Sequence, residues 1–261
     1  MPVSGNIYYA LHSERDAETP PLVLIHGAGG THLYWPPEIR RLRGYCVYAL
    51  DLPGHGKSST IDGQQSIGEY ARYMVQWLES LRLRRAVVVG HSMGSAIALA
   101  LAIHHPEYVV GLALIGSGSR LRVHPDLLAY MADPTTYYKA IDLLVSYSFH
   151  ADAPQSLVEQ ASKRLVETRQ SVLYGDLVAC DKFDVMEQLA AVTQPTLVMC
   201  GADDQMTPLR FSQFLASTIP AARLNVIPGA GHMVILEKPR LVADSLLAFL
   251  QDITFLPGEG V

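Results

Sequence analysis

The chain has 261 residues and a formal net charge of −5; 49% of its residues are hydrophobic and 17% charged, against about 25% charged in an average soluble protein. No stretch is a run of Lys and Arg, and the densest basic group, Arg82, Arg84 and Arg85, sits at a helix-to-strand connection, which argues against a nucleic-acid partner. The longest unbroken apolar run, residues 96–103, falls far short of the roughly 20 residues needed to cross a bilayer.

Apolar, β-branched runs alternate with helical patterns, which predicts an α/β fold with a mostly parallel central sheet flanked by helices. Strands are expected at residues 7–12, 22–25 and 46–50, the second apolar throughout, as in a strand buried on both faces. Ser66 followed by Glu69 forms a capping box that opens a helix. Further strands fall at 86–89, 111–115, 196–200 and 223–227, and a last helix at about 238–251. The alternation breaks over 120–192, which is helical in composition and punctuated by Pro125, Pro134 and Pro154. That segment is expected to be a helical cap inserted into a core made of 1–119 and 193–261. It is rich in aromatics; most should pack the cap onto the core, with Tyr130, Tyr138, Phe149 and Tyr174 as candidates to line a pocket.

Cys46, Cys180 and Cys200 are far apart, odd in number and set in apolar surroundings. They read as small buried hydrophobes. No ligand spacing for a metal appears, so neither metal nor cofactor is expected. Together with the lack of a basic-then-apolar leader in residues 1–6, this points to a cytoplasmic protein. The low charge also suits a surface covered by another copy in a homo-oligomer.

The chemistry concentrates at Gly90-His91-Ser92-Met93-Gly94, between the strand at 86–89 and a run of helix formers. A strand passing into a helix through one residue forces a tight turn, and the glycines remove side chains that would collide there. Ser92 is thereby placed as a nucleophile in a G-x-S-x-G elbow. A serine hydroxyl needs a base, itself oriented by a third group. His232, in Gly229-Ala230-Gly231-His232, follows the strand at 223–227 and is the expected base. The acid should lie between the two; Gly201-Ala202-Asp203-Asp204 offers Asp204, with Asp203 as the alternative. The oxyanion-hole donors are assigned to the backbone N–H groups of Met93 and of Ala28, in the glycine-rich loop His26-Gly27-Ala28-Gly29-Gly30. His26 and His91 are expected to shape these loops by hydrogen bonding, His55 to be structural, and His104 and His105 to end a helix.

The chain resembles the α/β-hydrolase fold superfamily. The resemblance rests on the His-Gly loop at 26, Asp-x-Pro-Gly-His-Gly-x-Ser at 51, the elbow at 90, Gly-x-x-Asp-x-x-x-Pro at 201 and Gly-x-Gly-His at 229. It departs from the family pattern in a short N-terminus, which leaves little room for the first of eight strands, and in Ser95, where many relatives have glycine. The family hosts many reactions. The serine at 92 argues against its aspartate-nucleophile branches. The expectation is a serine carboxylesterase acting on small to medium, mostly apolar ester substrates. The alternatives are a lactonase, a carbon–carbon bond hydrolase of ring-cleavage products, whose substrate carboxylate would need a cation such as Lys139, Lys163, Arg164, Arg169 or Lys182, and a slow-turnover ligand receptor.

Overall fold

The computed structural model describes residues 3–13 and 19–253; the ends of the expected core ranges, residues 1–2 and 254–261, lie outside them. The β-branched and aliphatic runs form β1 (Val3–Ser4), β2 (Ile7–Ser13), β3 (Leu22–Ile25), β4 (Cys46–Leu50), β5 (Ala86–His91), β6 (Val109–Ile115), β7 (Thr196–Gly201) and β8 (Ala222–Ile227). Among the described residues they make one eight-stranded sheet, in the order β1-β2-β4-β3-β5-β6-β7-β8. The β1·β2 and β2·β4 pairs are antiparallel and the others parallel. Seven of these strands match the expected runs to within a few residues. The eighth, β1, corrects the expectation of an N-terminus too short to supply it. It needs only two residues, because Gly5 and Asn6 both adopt positive φ (54° and 64°) and turn the chain straight back into β2. That is the backbone of a two-residue hairpin turn, and Gly and Asn tolerate it best.

Both sheet faces are covered. Leu22, Leu24, Val87 and Val89 pack with Ile39 of α1 (Pro37–Arg40) and with Val242, Leu246 and Phe249 of α10 (Pro239–Leu250). Val23, Ile25 and Val88 pack on the opposite face with Tyr70, Met74 and Trp77 of α2 (Ile67–Ser80) and Ile97 and Leu101 of α3 (Met93–His104). The capping box is present: Ser66 Oγ accepts from the Glu69 backbone N–H at 3.2 Å. Every residue of α3 from Met93 to Ala102 is buried, so the longest apolar run of the chain is a core helix. Among the described residues, no helix is long and apolar enough to cross a membrane.

Between β6 and β7 run α4 (Pro125–Ala132), α5 (Tyr137–Ser148), α6 (Gln155–Val166) and α7 (Gln170–Lys182). They pack around their own cluster, including Leu127, Met131, Ile141, Leu144, Leu173 and Leu177. The insertion leaves and returns at one point, where Arg120 and Asp184 form an antiparallel bridge and an ion pair of 2.9 Å. After β7 come α8 (Leu209–Thr218) and, beyond β8, α9 (Val234–Glu237).

The parallel register decides where the site lies. Ile25 pairs with Gly90, Gly90 with Leu114, Ile115 with Met199, and Gly201 with Ile227. The loops after β3, β5, β7 and β8 therefore emerge along one edge, the carboxyl ends of the strands, where open α/β sheets bind ligands.

Candidate active site

Strand β5 ends at His91 and α3 begins at Met93, so Ser92 alone makes the turn, with φ 54° and ψ −120°. Such a backbone costs a non-glycine residue on the order of 1–3 kcal/mol and persists only where its surroundings hold it. Here Ser92 N–H donates to Ile115 O (2.9 Å) and Ser95 N–H to Ser92 O (2.8 Å). A Cβ on Gly90 would strike the Gly94 carbonyl, and one on Gly94 the Ile25 carbonyl. Ser95 is buried; its hydroxyl donates to Ser92 O and pairs with the Ser117 hydroxyl, an added brace on the elbow.

The loops after β7 and β8 bring Asp204 and His232 together. His232 Nδ1 lies 2.9 Å from Asp204 Oδ2, and both side chains are buried. A carboxylate only accepts, so Nδ1 carries the proton and Nε2 keeps its lone pair. Asp204 also accepts from the backbone N–H groups of Met206 (2.9 Å) and Thr207 (2.8 Å) and from the Thr207 hydroxyl (2.7 Å). Burial alone would raise its pKa. The His232 interaction and these donors outweigh burial and hold the carboxyl below its usual value. Asp203 is half-exposed and faces His150 at 3.5 Å instead.

The loop after β3 closes on itself through Gly30 N–H to Gly27 O (3.0 Å). Gly29 has φ 64° and Ala28 does not share the positive region, the pattern of a type II turn. His26 shapes it: Nε2 accepts from Leu52 N–H (3.0 Å), so Nδ1 donates to Gly27 O (2.8 Å). Burial, then the charge of His55, pushes its pKa down to about 4. His91 Nε2 donates to His232 O (2.9 Å), and burial followed by His232 pushes its pKa down to about 3. Both rings are neutral braces.

Ala28, Ser92 and His232 line one cavity of about 130 Å³, roofed by Leu144, Phe149, Leu165, Leu173 and Leu177 of the insertion. Met93, whose N–H is the other expected donor, is buried at the start of α3. Of the four aromatics expected at the pocket, only Phe149 lines it. Tyr138 is 66% exposed; it sits seven residues before Val145, which does line the cavity, and thus about 10 Å further along the helix axis. Tyr130 and Tyr174 pack against the insertion's own core, and Lys139 Nζ stands 3.9 Å over the Tyr130 ring. The tyrosine that lines the cavity among the described residues is Tyr34, whose pKa burial pushes up to about 12. Among the described residues lining the cavity the Lys/Arg side chain is Arg122, whose guanidinium also donates to Asp181 O and stands 3.8 Å from Asp184 Oδ2; Lys139, Lys163, Arg164, Arg169 and Lys182 do not line it. Arg164 and Arg169 are occupied with the carbonyls of Leu33 and Ser59. Sequence reasoning also missed Met206, Thr207 and Phe211, which flank the acid in the loop and helix after β7.

A mostly parallel sheet carrying a strained serine turn at its carboxyl edge defines an α/β-fold hydrolase. The chain belongs to the alpha/beta hydrolase fold family, whose profile matches residues 20–239. It is 28% identical over 256 residues to the "Putative carbamate hydrolase RutD" of Variovorax paradoxus (strain S110), covering 94% of this chain and 96% of that one. Among solved structures it is similar to a thermophilic esterase, with 33% identity, a TM-score of 0.79 and 94% of each chain covered. It is also similar to Est816, described as an N-acyl homoserine lactone degrading enzyme, with 27% identity, a TM-score of 0.81 and 93% and 96% of the two chains covered.

Proposed function

We propose that the protein is a serine hydrolase that cleaves small, mostly apolar carboxylic esters through an acyl-enzyme. The observation that carries this reading is that His232, held by Asp204, lines one cavity with Ser92 on its strained turn. Ser92 Oγ attacks the acyl carbon as its proton passes to His232 Nε2. The carbonyl electron pair moves to oxygen, where the N–H groups of Ala28 and Met93 hold it. Asp204 stabilises the imidazolium and keeps the ring in its tautomer. Collapse expels the alcohol, which takes the proton from His232. Water then repeats the sequence on acyl-Ser92, releases the carboxylic acid and returns the proton to Ser92.

The cavity is close in size to one of about 150 Å³ that holds benzene, which suits acyl groups of about four to six carbons. A second reading keeps the acyl step and changes the leaving group. The likeness to Est816 and to the RutD relatives brings lactones and carbamates into the same test. A substrate carrying a carboxylate, as a carbon–carbon hydrolase requires, would have to draw Arg122 away from Asp181 O and Asp184.

The test is a kcat/KM series on p-nitrophenyl esters of graded acyl length, beside N-acyl homoserine lactones, an alkyl carbamate and a ring-cleavage dienoate. Sustained turnover with a maximum at butyrate or hexanoate is expected. A lactone, carbamate or dienoate surpassing the best ester by more than about tenfold would move the assignment to that class. A single burst without turnover would indicate a receptor.

A further inference from the structure

Asp176 takes no part in the chemistry above, yet it is a fully buried carboxylate on the cap helix α7. Its Oδ2 accepts from the backbone N–H of Gly29 (2.9 Å) and from His55 Nε2 (2.8 Å), and its Oδ1 from the Tyr70 hydroxyl (2.6 Å). A second cap residue, the buried Thr168, donates its hydroxyl to Gly29 O (2.9 Å). Both backbone polar groups of Gly29 are therefore held by the cap, and Gly29 directly follows Ala28. The fit is tight: a Cβ on Gly29 would meet Leu165 Cδ1 and Leu173 Cδ1, at 2.5 and 2.9 Å.

The geometry of the turn gives these bonds a specific consequence. Type I and type II turns differ by a flip of the central peptide, here Ala28–Gly29, which carries the Ala28 C=O and the Gly29 N–H; the Ala28 N–H belongs to the Gly27–Ala28 peptide before it and is aimed by where the turn as a whole sits. A flip would swing the Gly29 N–H away from Asp176 and leave it without a partner in a buried site. The carboxylate can serve three donors because its charge is matched. His55 Nδ1 faces Pro53 O (3.0 Å) and Nε2 faces Asp176, both acceptors, so the ring carries both protons.

We propose that Asp176 is a positioning residue for the oxyanion hole: acting through Gly29, it makes the seated cap hold the 27–30 turn so that the Ala28 N–H points at the reacting carbonyl. The inference rests on the reading of Ala28 as an oxyanion donor. It differs from a plain cap-to-core tether, which would affect stability and leave transition-state binding untouched.

The experiment compares Asp176→Asn, Thr168→Val and Tyr70→Phe in the full chain, with p-nitrophenyl butyrate as substrate and butylboronic acid as inhibitor. The boronate forms an anionic tetrahedral adduct with Ser92, and its oxygen occupies the hole. Rates are taken per site titrated by a fluorophosphonate, so unfolded protein does not count. Asp176→Asn is expected to lower kcat by about 10- to 100-fold, less than the 10²–10³ of losing a donor outright. KM should stay within about twofold, and the boronate should weaken in parallel with kcat. Thr168→Val should move both in the same direction by less. Tyr70→Phe removes the arm of Asp176 that does not lead to the turn; it should lower Tm and leave kcat unchanged. A kcat within about threefold of wild type in both Asp176→Asn and Thr168→Val, or an equal loss in Tyr70→Phe, would overturn the inference. Should Asp176→Asn fail to fold, Thr168→Val against Tyr70→Phe decides by the same criteria. Ser92→Ala run alongside separates the two readings. Full turnover in that variant removes the acyl-enzyme and this inference together. Its inactivity beside an unimpaired Asp176→Asn removes the inference alone.

Discussion

Two of the buried histidine–carboxylate pairs among the described residues, His232–Asp204 and His55–Asp176, differ in one respect. His232 Nδ1 is 2.9 Å from Asp204 Oδ2, and His55 Nε2 is 2.8 Å from Asp176 Oδ2. Chemistry, distance and burial are alike. The second ring nitrogen is not. In His55 it donates to Pro53 O, so both nitrogens are committed. His232 lines the cavity, and Nε2 is the nitrogen Asp204 leaves over. Burial works against protonating His55, but the charge and hydrogen bond of Asp176 outweigh it and raise the pKa. The lesson is that a carboxylate partner does not make a histidine a base; an uncommitted nitrogen beside a cavity does.

Breaking each pair should separate the two roles. The largest effect is expected at the chemistry: Ser92→Ala and His232→Ala should lower kcat/KM for the preferred ester by about 10³- to 10⁶-fold with little change in Tm. His55→Ala should show itself first in denaturant unfolding, as a loss of about 3–5 kcal/mol, because it leaves the Asp176 charge buried without a partner. Next, Asp204→Asn should cut kcat by up to about 10⁴ while Asp203→Asn does little. Equal losses in a steady-state assay would undo the distinction drawn between them.

The pH dependence of stability sharpens the comparison, since the two pairs act at opposite ends. The folded pKa of His55 is raised above the unfolded value of about 6.5, so its stabilisation is complete below that pH and lost as pH rises through the folded value. Asp204 is depressed below the ordinary value of about 3.9, so its contribution is complete above that pH and lost as pH falls through the folded value. Thermal melts from pH 3 to 9 should show Tm declining at both ends. His55→Gln should flatten the alkaline limb alone and Asp204→Asn the acid limb alone. The smallest effect concerns selection: Phe149→Ala should shift the acyl-length profile, a well-fitted methylene being worth about 1–3 kcal/mol, whereas Tyr138→Ala should leave it in place. A shift with Tyr138→Ala would place the substrate outside the cavity described.

The elbow, the acid loop and the base loop were legible because each is a few residues long and lies where a strand meets a turn. Gly90 and Gly94 report backbone contacts that no side chain allows. The spacing from Gly201 singled out Asp204, and it is Asp204 that lies against His232. The two-residue β1 was not legible as a strand, but its Gly-Asn turn was written in the chain. The pocket lining was hidden for a different reason. Which way a cap side chain points depends on how four helices pack, and Tyr130 and Tyr174 went to that packing. Asp176 and His55 are 121 residues apart, and no local pattern joins them.

The central claim is tested most directly by rapid-quench mass spectrometry of the protein mixed with p-nitrophenyl butyrate. The account predicts a butyryl adduct on the peptide carrying Ser92 in wild type and in folded His55→Gln, and its absence in His232→Ala at the same quench time. An adduct on another residue, or acylation of Ser92 at the wild-type rate without His232, would contradict it.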